Sequence, residues 1–495
     1  MSSDRYTVES PFPSPLDPWL HRRSAALLTD LYELTMMAGY QRENMTAMPV
    51  SFEFFFRDLP PDTGFAVFAG LEQLLDYIDN LRFEPSDIAY LRGLDLFPEP
   101  FLAWLRTWRC TCDIWAVPEG TLVFPDEPIL RVEGPLGEAQ LLETFILNAL
   151  NYPTLIATKA ARVCIAADGD PVMEFGLRRA QGPDGGLIGT RAAYIGGCAG
   201  TSNCLAGKMF GIPVMGTHAH SWVMAFTNEL DAFRAYLRFY PCKSTLLVDT
   251  YDVLLSGVPH AITAFQELRR DYPDIRASIR IDSGDLAKLS KAAWNQLNDA
   301  GFDNPMIVAS NDLDELLIAD IKHQGAKINA WGVGTHLITS RDCPALNGVY
   351  KLTAMNPSGS WIPRIKLSSN ITKLTNPGRK QVFRFFDRDG HPVADRISDV
   401  DDPPPLPDAA TMFDQNQLLR RIRVRAKTVH PLLTRVVAGG HVVSDRPAVD
   451  IIRRFANQQI HSLHPEMTRL RNPDTYPVGL SATLAAMKRS MIESA

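Results

Sequence analysis

The spacing of apolar positions near the start of the chain predicts two amphipathic helices. The segment "TDLYELTMMAGY" has helical spacing and opens at Thr29 or Asp30, where a short polar side chain precedes the first apolar position. The segment "GLEQLLDYIDNL" repeats that spacing. The apolar stripes are Leu31, Leu34 and Met37 in the first segment and Leu71, Leu74, Leu75 and Ile78 in the second. We expect each stripe to face the core.

Strand-like and helical patterns alternate over the next hundred or so positions. "SFEFFF" is a strand by composition, and "GTLVF" and "PILRVEG" are typical of two short strands joined by the turn-rich "PDEP". "GEAQLLETFILNAL" then predicts a helix with Leu142, Ile146 and Ala149 on its apolar face. These patterns predict an N-terminal α+β domain over residues 1–158.

Between about residues 170 and 340 the pattern becomes a repeated unit. Short apolar runs end in polar, glycine-containing loops and are followed by helical stretches, as in "GIPVMGTHAHSW", "ASIRIDSGDLAKL" and "KINAWGVGTHLIT". The loops fall near positions 179, 218, 249, 282, 310 and 334, and this spacing predicts β-loop-α units and a parallel sheet. Because no Rossmann glycine fingerprint is present, the series favours a closed or nearly closed α/β barrel, which we assign to residues 159–365.

After about residue 365 the pattern is less regular. "KLSSNITKLTNPGRKQVFRFFDRDGHP" is strand-like with turns, and "DDPPPLP" at 401–407 predicts a stiff linker or loop. Helical patterns follow near the end of the chain. We assign residues 366–495 to a C-terminal region that partly returns to the N-terminal domain.

Composition narrows the class of protein. Apolar residues make up 45% of the chain, the net charge is −6, and no apolar run has the length of a membrane span, so we expect a soluble protein without a nucleic-acid or membrane partner. The N-terminus lacks a secretory signal and is typical of a flexible leader. Seven cysteines without metal-ligand spacing suit reduced thiols in the cytoplasm. Cys110 and Cys112 form a C-x-C motif, but no second pair lies near, which argues against a zinc site.

The barrel arrangement predicts which polar side chains meet. In such barrels the loops after the strands form the active-site face. That rule places the following residues around one mouth: Arg178, Arg179, His218, His220, Asp249, Arg280, Asp282, Ser310 and Thr335.

Several of these residues suit phosphate chemistry. Gly332, Gly334 and Thr335 stand where a strand gives way to a helix, so backbone N–H groups and a hydroxyl are available to a phosphate, although a plain tight turn would have the same residues. The arginines offer forks for phosphates or carboxylates, or form ordinary ion pairs.

Four aspartates follow the predicted strands: Asp249, Asp252, Asp282 and Asp285. Their carboxylates can bind magnesium, orient a histidine or accept hydrogen bonds from ribose hydroxyls, or they can cap helices. The pair His218 and His220 suits a metal, acid/base or nucleophilic chemistry, or a polar surface. Together these residues indicate an anionic, phosphate-rich substrate with Mg²⁺ and a histidine.

Longer motifs carry a family resemblance. In order along residues 27 to 385, "LLTDLYELTMMAGY", "FEFFFRDLP", "LRRAQGPDGG", "GTSNCLAGKMFGIPVMGTHAHSW", "RIDSGDL", "GVGT" and "GVYKL" together resemble the nicotinate phosphoribosyltransferase family. The resemblance implies an irregular TIM-like α/β barrel of the type II phosphoribosyltransferases. It also implies a cytoplasmic enzyme of NAD salvage that forms nicotinate mononucleotide and pyrophosphate from nicotinate and phosphoribosyl pyrophosphate. The resemblance further implies that ATP hydrolysis is coupled to this reaction through a phosphohistidine, with Mg²⁺ as cofactor.

The resemblance also implies roles for single residues. The family histidine of the A-H-S motif is His220 here, while Thr217, Arg280 and Tyr32 match residues that hold nicotinate, and Thr335 matches a contact to the ribosyl phosphate. Asp249 and Asp282 match aspartates that support the histidine and ribose or magnesium. Family members are homodimers with shared active sites, in which Tyr32 would reach the partner subunit's site.

One segment departs from the family pattern. Relatives commonly have G-G-F-D-G-T-S-N where this chain has "GGCAGTSN", with Cys198 and Ala199 in place of an aromatic residue and an acid. Nicotinamide-specific relatives carry an aspartate close to this segment. A carboxylate about 5 Å from that of nicotinate would cost about 3 kcal/mol at an effective dielectric of about 20, so neutral Thr201 and Ser202 favour nicotinate. The alternatives are a nicotinamide or quinolinate phosphoribosyltransferase, or a non-catalytic nucleotide-binding regulator.

Overall fold

The computed structural model describes residues 25–366, 374–407 and 410–494. The predicted N-terminal leader lies outside these residues up to position 24, as do positions 367–373 of the strand-like segment that begins at Lys366. The helices are α1 (Leu31–Arg42), α2 (Leu71–Asn80), α3 (Pro85–Gly93), α4 (Glu99–Leu105), α5 (Leu136–Leu141), α6 (Glu143–Ala167), α7 (Gly182–Ile195), α8 (Cys204–Phe210), α9 (His220–Met224), α10 (Glu229–Phe239), α11 (Val258–Arg269), α12 (Leu286–Asp299), α13 (Glu315–His323), α14 (Thr335–Ile338), α15 (Val449–Ser462) and α16 (Ala482–Glu493). Short 3-10 helices at Leu177–Arg179 and Pro465–Thr468 and a π-helix at Val253–Gly257 complete the described helices.

The strands form three larger sheets and one short pair. They are β1 (Pro49–Phe56), β2 (Ala66–Val67), β3 (Asp113–Ala116), β4 (Leu122–Val123), β5 (Leu130–Pro135), β6 (Val172–Glu174), β7 (Gly200–Thr201), β8 (Leu246–Leu247), β9 (Ser278–Ile281), β10 (Met306–Ser310), β11 (Ala330–Val333), β12 (Gly348–Met355), β13 (Ile362–Pro363), β14 (Lys380–Phe386), β15 (Pro392–Asp399), β16 (Ala410–Asp414), β17 (Arg421–Val424), β18 (Thr428–Pro431), β19 (Thr434–Ala438), β20 (His441–Val442) and β21 (Val478–Leu480).

The predicted parallel sheet is present in the middle of the chain. Its strand order is β7-β6-β11-β10-β9-β8, and every pairing is parallel. The β-branched and apolar runs form its strands because both faces are covered, one by the barrel interior and one by helices. This confirms the predicted α/β class.

The apolar run in "GIPVMGTHAHSW", which the repeated pattern predicts to be a strand, does not form one. Val214 forms only an isolated bridge with Thr201, while the second strand of the series is the two-residue β7. Pro213 disfavours a regular strand here because proline has no backbone N–H to donate to a neighbouring strand. The strand β7 is short and contains Gly200, so it has no apolar run that periodicity could detect.

His218 joins the two ends of the parallel sheet. At one end lies the bridge between Thr201 and Val214, and at the other lies β8. The backbone N–H of Leu247 in β8 donates to His218 Nε2 at 3.1 Å. A side-chain hydrogen bond therefore takes the place of a strand pair, and the sheet is a nearly closed barrel, as predicted.

An antiparallel sheet of order β13-β12-β1-β5-β3-β19-β20 forms the second layer. It combines strands from the start, the middle and the end of the sequence, so the sheets divide the chain differently from the predicted boundaries at 158 and 365. The strands β12 and β13 lie in this sheet although they precede position 365, and β19 pairs with β3. The third sheet, β17-β16-β21-β15-β14-β18, is built from residues after 379. The segment at 401–407 connects β15 to β16.

The predicted helices are confirmed, with two differences. Leu71, Leu74, Leu75 and Ile78 are all buried in α2, whereas Leu31 of α1 is 51% exposed. The outer face of α1 thus carries an apolar side chain that the sequence had placed in the core. The helix predicted around Leu142 is interrupted there, because α5 ends at Leu141 and α6 begins at Glu143. None of the described helices combines the length and apolar character that a membrane crossing requires.

Candidate functional site

Arg280 is the centre of a polar network at the mouth of the barrel. It lies near the end of β9, and its guanidinium donates from Nε to Ser310 Oγ at 2.7 Å, from Nη1 to Thr217 Oγ1 at 2.9 Å and from Nη2 to Asp282 Oδ1 at 2.7 Å. Ser310 Oγ also donates to Asp282 Oδ1. Residues predicted from three separate loops are therefore in direct contact, and Arg280 is held in one orientation.

His220 lies beside two carboxylates at the first position of α9. Its Nδ1 is 3.2 Å from Thr250 Oγ1, and its Nε2 is 4.0 Å from Asp249 Oδ1 and 3.9 Å from Asp282 Oδ2. The side chain is 41% exposed, so a solution nucleotide can reach it. The aspartates face Nε2 and the neighbour of Nδ1 is Thr250, a residue the sequence reasoning had not singled out.

The four aspartates that the sequence singled out divide into two kinds. Asp252 accepts from the N–H groups of Leu254 and Leu255, and Asp285 accepts from the N–H of Lys288, so both are helix N-caps. Asp249 and Asp282 instead face His220.

Asp249 has one carboxylate oxygen that accepts no hydrogen bond from the described residues. Its Oδ2 accepts from the N–H of Asp282 at 3.1 Å and from Ser283 Oγ at 2.6 Å. Its Oδ1 is buried and has no hydrogen-bond partner within the described residues. A buried carboxylate oxygen of this kind suits a hard cation, because Mg²⁺ prefers oxygen ligands.

A buried carboxylate at the end of β6 supports the adjoining loop. Glu174 Oε2 accepts from Thr201 Oγ1 at 2.6 Å and from Thr190 Oγ1 at 2.9 Å, and Oε1 accepts from the N–H of Gly176. Burial raises the pKa of Glu174. Thr201 is therefore committed to Glu174, whereas its neighbour Ser202 is exposed. Sequence reasoning missed Glu174 because it lies inside the strand pattern.

Two glycines, one within β11 and one directly after it, make room for an aromatic ring. A Cβ on Gly332 would lie 2.7 Å from the ring of Phe175, and one on Gly334 would lie 3.2 Å from the Phe175 carbonyl oxygen. The guanidinium carbon of Arg280 lies 5.8 Å from the centre of the same ring. Phe175 was not predicted, since an apolar residue at a strand end is indistinguishable from a core position in the sequence.

Thr335 begins α14, which is a single turn. The dipole of so short a helix is small, because it grows with the number of aligned peptide units. Any anion here would depend on the backbone N–H groups and the Thr335 hydroxyl.

Three predicted residues lie outside this network. Arg178 and Arg179 lie on the short helix after β6 and are exposed. Tyr32 lies on α1, is 46% exposed, and borders an open pocket that Tyr152 and Leu346 also line. Within the part of the chain that the structure describes, no contact joins Tyr32 to His220 or Arg280. Burial and the charges of Glu143 and Glu33 raise the pKa of Tyr32.

The two histidines of the "GTHAHS" segment differ in environment. His218 is 7% exposed, and burial lowers its pKa to about 4. Its imidazole is neutral and its Nε2 accepts a hydrogen bond, as the contact with Leu247 requires. His218 is thus a structural residue of the barrel, while His220 faces the mouth.

The segment that departs from the family pattern is well packed. Cys198 is fully buried, its carbonyl oxygen accepts from Arg453 Nε at 3.0 Å, and the Ala199 N–H donates to the Val172 carbonyl at 2.7 Å. The substitution in this segment is therefore accommodated within the core.

Three sequence profiles of one enzyme family match successive parts of the chain. Profiles of the nicotinate phosphoribosyltransferase (NAPRTase) family match residues 171–397, with the family's N-terminal domain matching 27–151 and its C-terminal domain matching 379–488. A nicotinate phosphoribosyltransferase of Bacillus subtilis is 43% identical over 462 residues, covering 92% of this chain and 93% of that protein. One from Mycobacterium tuberculosis is 42% identical over 464 residues, covering 93% of both.

Solved structures show the same relationship. The crystal structure of human nicotinic acid phosphoribosyltransferase is 32% identical, covers 94% of this chain and 99% of that one, and aligns with a TM-score of 0.80. A nicotinate-nucleotide pyrophosphorylase from Pyrococcus furiosus, 24% identical, covers 89% of this chain and 96% of its own with a TM-score of 0.68, and it shares the fold.

Proposed function

The chain belongs to the nicotinate phosphoribosyltransferase family and is an enzyme of that class, and from this premise we propose a role for each polar residue at the mouth of the barrel. The substrates are nicotinate and phosphoribosyl pyrophosphate, which give nicotinate mononucleotide and pyrophosphate. ATP is hydrolysed in the same cycle through a phosphorylated His220. The observation that carries this proposal is the position of His220 between Thr250 on one ring nitrogen and two aspartates near the other.

Thr250 and the aspartates have complementary effects on His220. With Nδ1–H donating a hydrogen bond to Thr250 Oγ1, the lone pair is on Nε2, the nitrogen that faces Asp249 and Asp282. Nε2 attacks the γ-phosphorus of ATP, the bond from that phosphorus to the β-γ bridging oxygen breaks, and ADP leaves. The two carboxylates stabilise the positive charge that develops on the imidazole.

Mg²⁺ fits the same carboxylates. Asp249 Oδ1 and Asp282 Oδ2 would bind the ion together with phosphate oxygens of the substrate. Mg²⁺ in enzymes commonly takes one or two carboxylates plus substrate phosphates as ligands. The bound ion would neutralise phosphate charge beside two carboxylates.

Arg280 and Phe175 suit the two ends of nicotinate. The Arg280 guanidinium, fixed by Thr217 and Ser310, would bind the carboxylate, and the Phe175 ring offers a flat surface for the pyridine ring. The backbone after Gly332 and Gly334, with Thr335, would bind the ribosyl phosphate, and exposed Arg178 and Arg179 would attract the pyrophosphate end.

A base-specificity assay tests this assignment. Nicotinate, nicotinamide and quinolinate are each incubated with phosphoribosyl pyrophosphate and Mg²⁺, with and without ATP, and the mononucleotides are separated. We expect product from nicotinate, with more formed when ATP is present. Product from nicotinamide alone would instead support the nicotinamide alternative, and no product from any base would support the non-catalytic one.

The assembly and location are part of the same proposal. The exposed apolar residues Leu31, Tyr32 and Met36 on the outer face of α1 support a homodimer in which Tyr32 serves the partner subunit's site. Free cysteines and phosphorylated substrates support a cytoplasmic location.

A further inference from the structure

Two cysteines and a glutamate converge in the antiparallel layer, apart from the barrel mouth. Cys110 and Cys112 lie just before β3, and because side chains two apart in an extended segment share one side, both thiols point the same way. Glu138 lies in the first turn of α5, directly after β5. One ligand atom from each of these residues lies within 4.8 Å of the others.

The fold makes room for this cluster. Gly134 of β5 lies against Cys112, where a Cβ would be 2.5 Å from the sulfur. Glu138 Oε2 accepts from the Thr111 N–H at 2.5 Å and the Thr111 hydroxyl at 2.9 Å, and lies 3.9 Å from Cys112 Sγ. Among the described residues, no cationic side chain forms an ion pair with Glu138. Its charge is therefore available to a bound cation.

The cluster has a route to solvent. Cys110 and Thr111 line a surface cavity of about 380 Å³ that His441 also borders. A metal ion and a water ligand can therefore enter from this side.

We propose that Cys110, Cys112 and Glu138 bind one thiophilic divalent cation of the zinc type, with water from the cavity as the fourth ligand. The hydrated ion forms two bonds to sulfur and one bond to the Glu138 carboxylate, keeps one water and loses its other waters. One proton leaves each thiol for solvent, so no oxidant is needed. Zn–S bonds of about 2.3 Å place tetrahedral ligands under 4 Å apart, which requires a closure of about 1 Å. Glu138 is 26 residues from Cys112 in the sequence, so the C-x-C spacing gives no sign of it; it reaches the cysteines because β5 folds back beside β3.

The bound ion would connect the segment before β3 to the first turn of α5. A ligand that binds only the folded chain stabilises it by mass action. We therefore expect Zn²⁺ to raise the unfolding temperature of the metal-free enzyme while leaving its formation of nicotinate mononucleotide unchanged.

Cobalt binding by the full-length enzyme tests the site. The reduced, chelator-treated protein is titrated anaerobically with Co²⁺, and the sulfur-to-cobalt charge-transfer absorption and the d–d bands of a four-coordinate ion are recorded. The expected result is one Co²⁺ per chain, displaced by Zn²⁺. Cys110→Ser and Cys112→Ala should each abolish the charge-transfer band, and Glu138→Gln should weaken affinity about tenfold or more. Cys204→Ser, at an exposed cysteine, is the matched control and should bind like the unmodified chain.

The same titration defines what would overturn the proposal. Circular dichroism of each metal-free variant first confirms that it is folded, and Cys110→Ser, at the cavity edge, is decisive if the fully buried Cys112 tolerates no change. Charge-transfer absorption that survives in Cys110→Ser, or that disappears in Cys204→Ser, would remove the assignment. A Cys110–Cys112 disulfide in the unreduced enzyme, with no metal bound after reduction, would assign the pair to redox chemistry instead.

Discussion

At the scale of single residues, Arg280 owes its orientation to three neighbours on different loops. Replacement by lysine keeps the charge but leaves one ammonium in place of a fork, so the bonds to Ser310 and Thr217 cannot both be kept while a carboxylate is bound. We predict that Arg280→Lys raises KM for nicotinate about tenfold or more, equivalent to about 1.4 kcal/mol. Steady-state kinetics measures this. Arg276→Lys, an exposed arginine that binds the Asn304 carbonyl, is the control and should leave KM unchanged.

Ser202 offers a second test at this scale. It is exposed beside Thr201, and a carboxylate there would repel the carboxylate of nicotinate but not neutral nicotinamide. At about 5 Å and an effective dielectric of about 20, the repulsion is about 3 kcal/mol, or more than a hundredfold in affinity. Ser202→Asp should therefore weaken nicotinate binding by about that factor, measured by calorimetry, with Ser202→Asn as the neutral control. An equal loss of nicotinate affinity in Ser202→Asp and Ser202→Asn would mean that the nicotinate carboxylate does not lie beside position 202.

The sequence identified the polar residues of the site better than the residues that support them. The meeting of Arg280, Asp282, Thr217 and Ser310 follows from the rule that loops after parallel strands share one face. Thr250, Glu174 and Phe175 were missed because a hydroxyl, a strand carboxylate and an apolar ring each have commoner structural roles. Their importance depends on three-dimensional neighbours, such as Gly332 beside Phe175, that spacing does not encode.

At the scale of elements, the hydrogen bond from Leu247 to His218 closes the parallel sheet at the point where no two strands pair. Because burial lowers the pKa of His218 from 6.5 to about 4, its contribution to stability is present above about pH 6.5 and is lost as the pH falls toward 4. At about 1.4 kcal/mol per pH unit, this contribution is about 3 kcal/mol. His218→Gln keeps an acceptor but does not titrate. We predict that its free energy of unfolding, from denaturant titrations, falls less steeply between pH 6.5 and pH 4 than that of the unmodified chain.

A matched histidine variant separates this effect from general acid sensitivity. His323 lies exposed at the end of α13, so His323→Gln should retain the full acid dependence. Identical pH profiles for all three proteins would show that the bond from Leu247 to His218 does not hold the sheet closed. The two-residue β7 and the bridge at Val214 explain why this weak point escaped sequence reasoning, since neither has a periodic pattern.

At the scale of the whole molecule, the sheets join distant parts of the sequence. Helices and the parallel series could be predicted because their signals are local. The pairing of β19 with β3 and of β12 with β1 could not be predicted, because the sequence pattern of a strand does not identify the strand with which it pairs. This is also why the glutamate beside Cys110 and Cys112 was not foreseen.

Complementation between subunits tests the shared-site homodimer. If Tyr32 acts in the partner subunit's site, a mixed dimer of Tyr32→Ala and His220→Ala chains has one site with both residues intact. Random pairing of co-expressed chains makes half of the dimers mixed, so activity should recover to about a quarter of the unmodified level. Each variant alone should have little activity. No recovery in co-expressed, dimeric protein would mean that Tyr32 acts within its own chain or not at all.

The most direct test of the central claim is phosphoryl transfer from γ-labelled ATP to the enzyme. The enzyme is mixed with labelled ATP and Mg²⁺ without nicotinate, quenched in alkali to preserve phosphohistidine, and the label on the protein is counted and mapped by peptide. We predict acid-labile label on His220, its absence in His220→Ala, and a marked reduction in Asp249→Asn. Label of equal amount on His220→Ala, or ATP hydrolysis that persists unchanged in that variant, would contradict it.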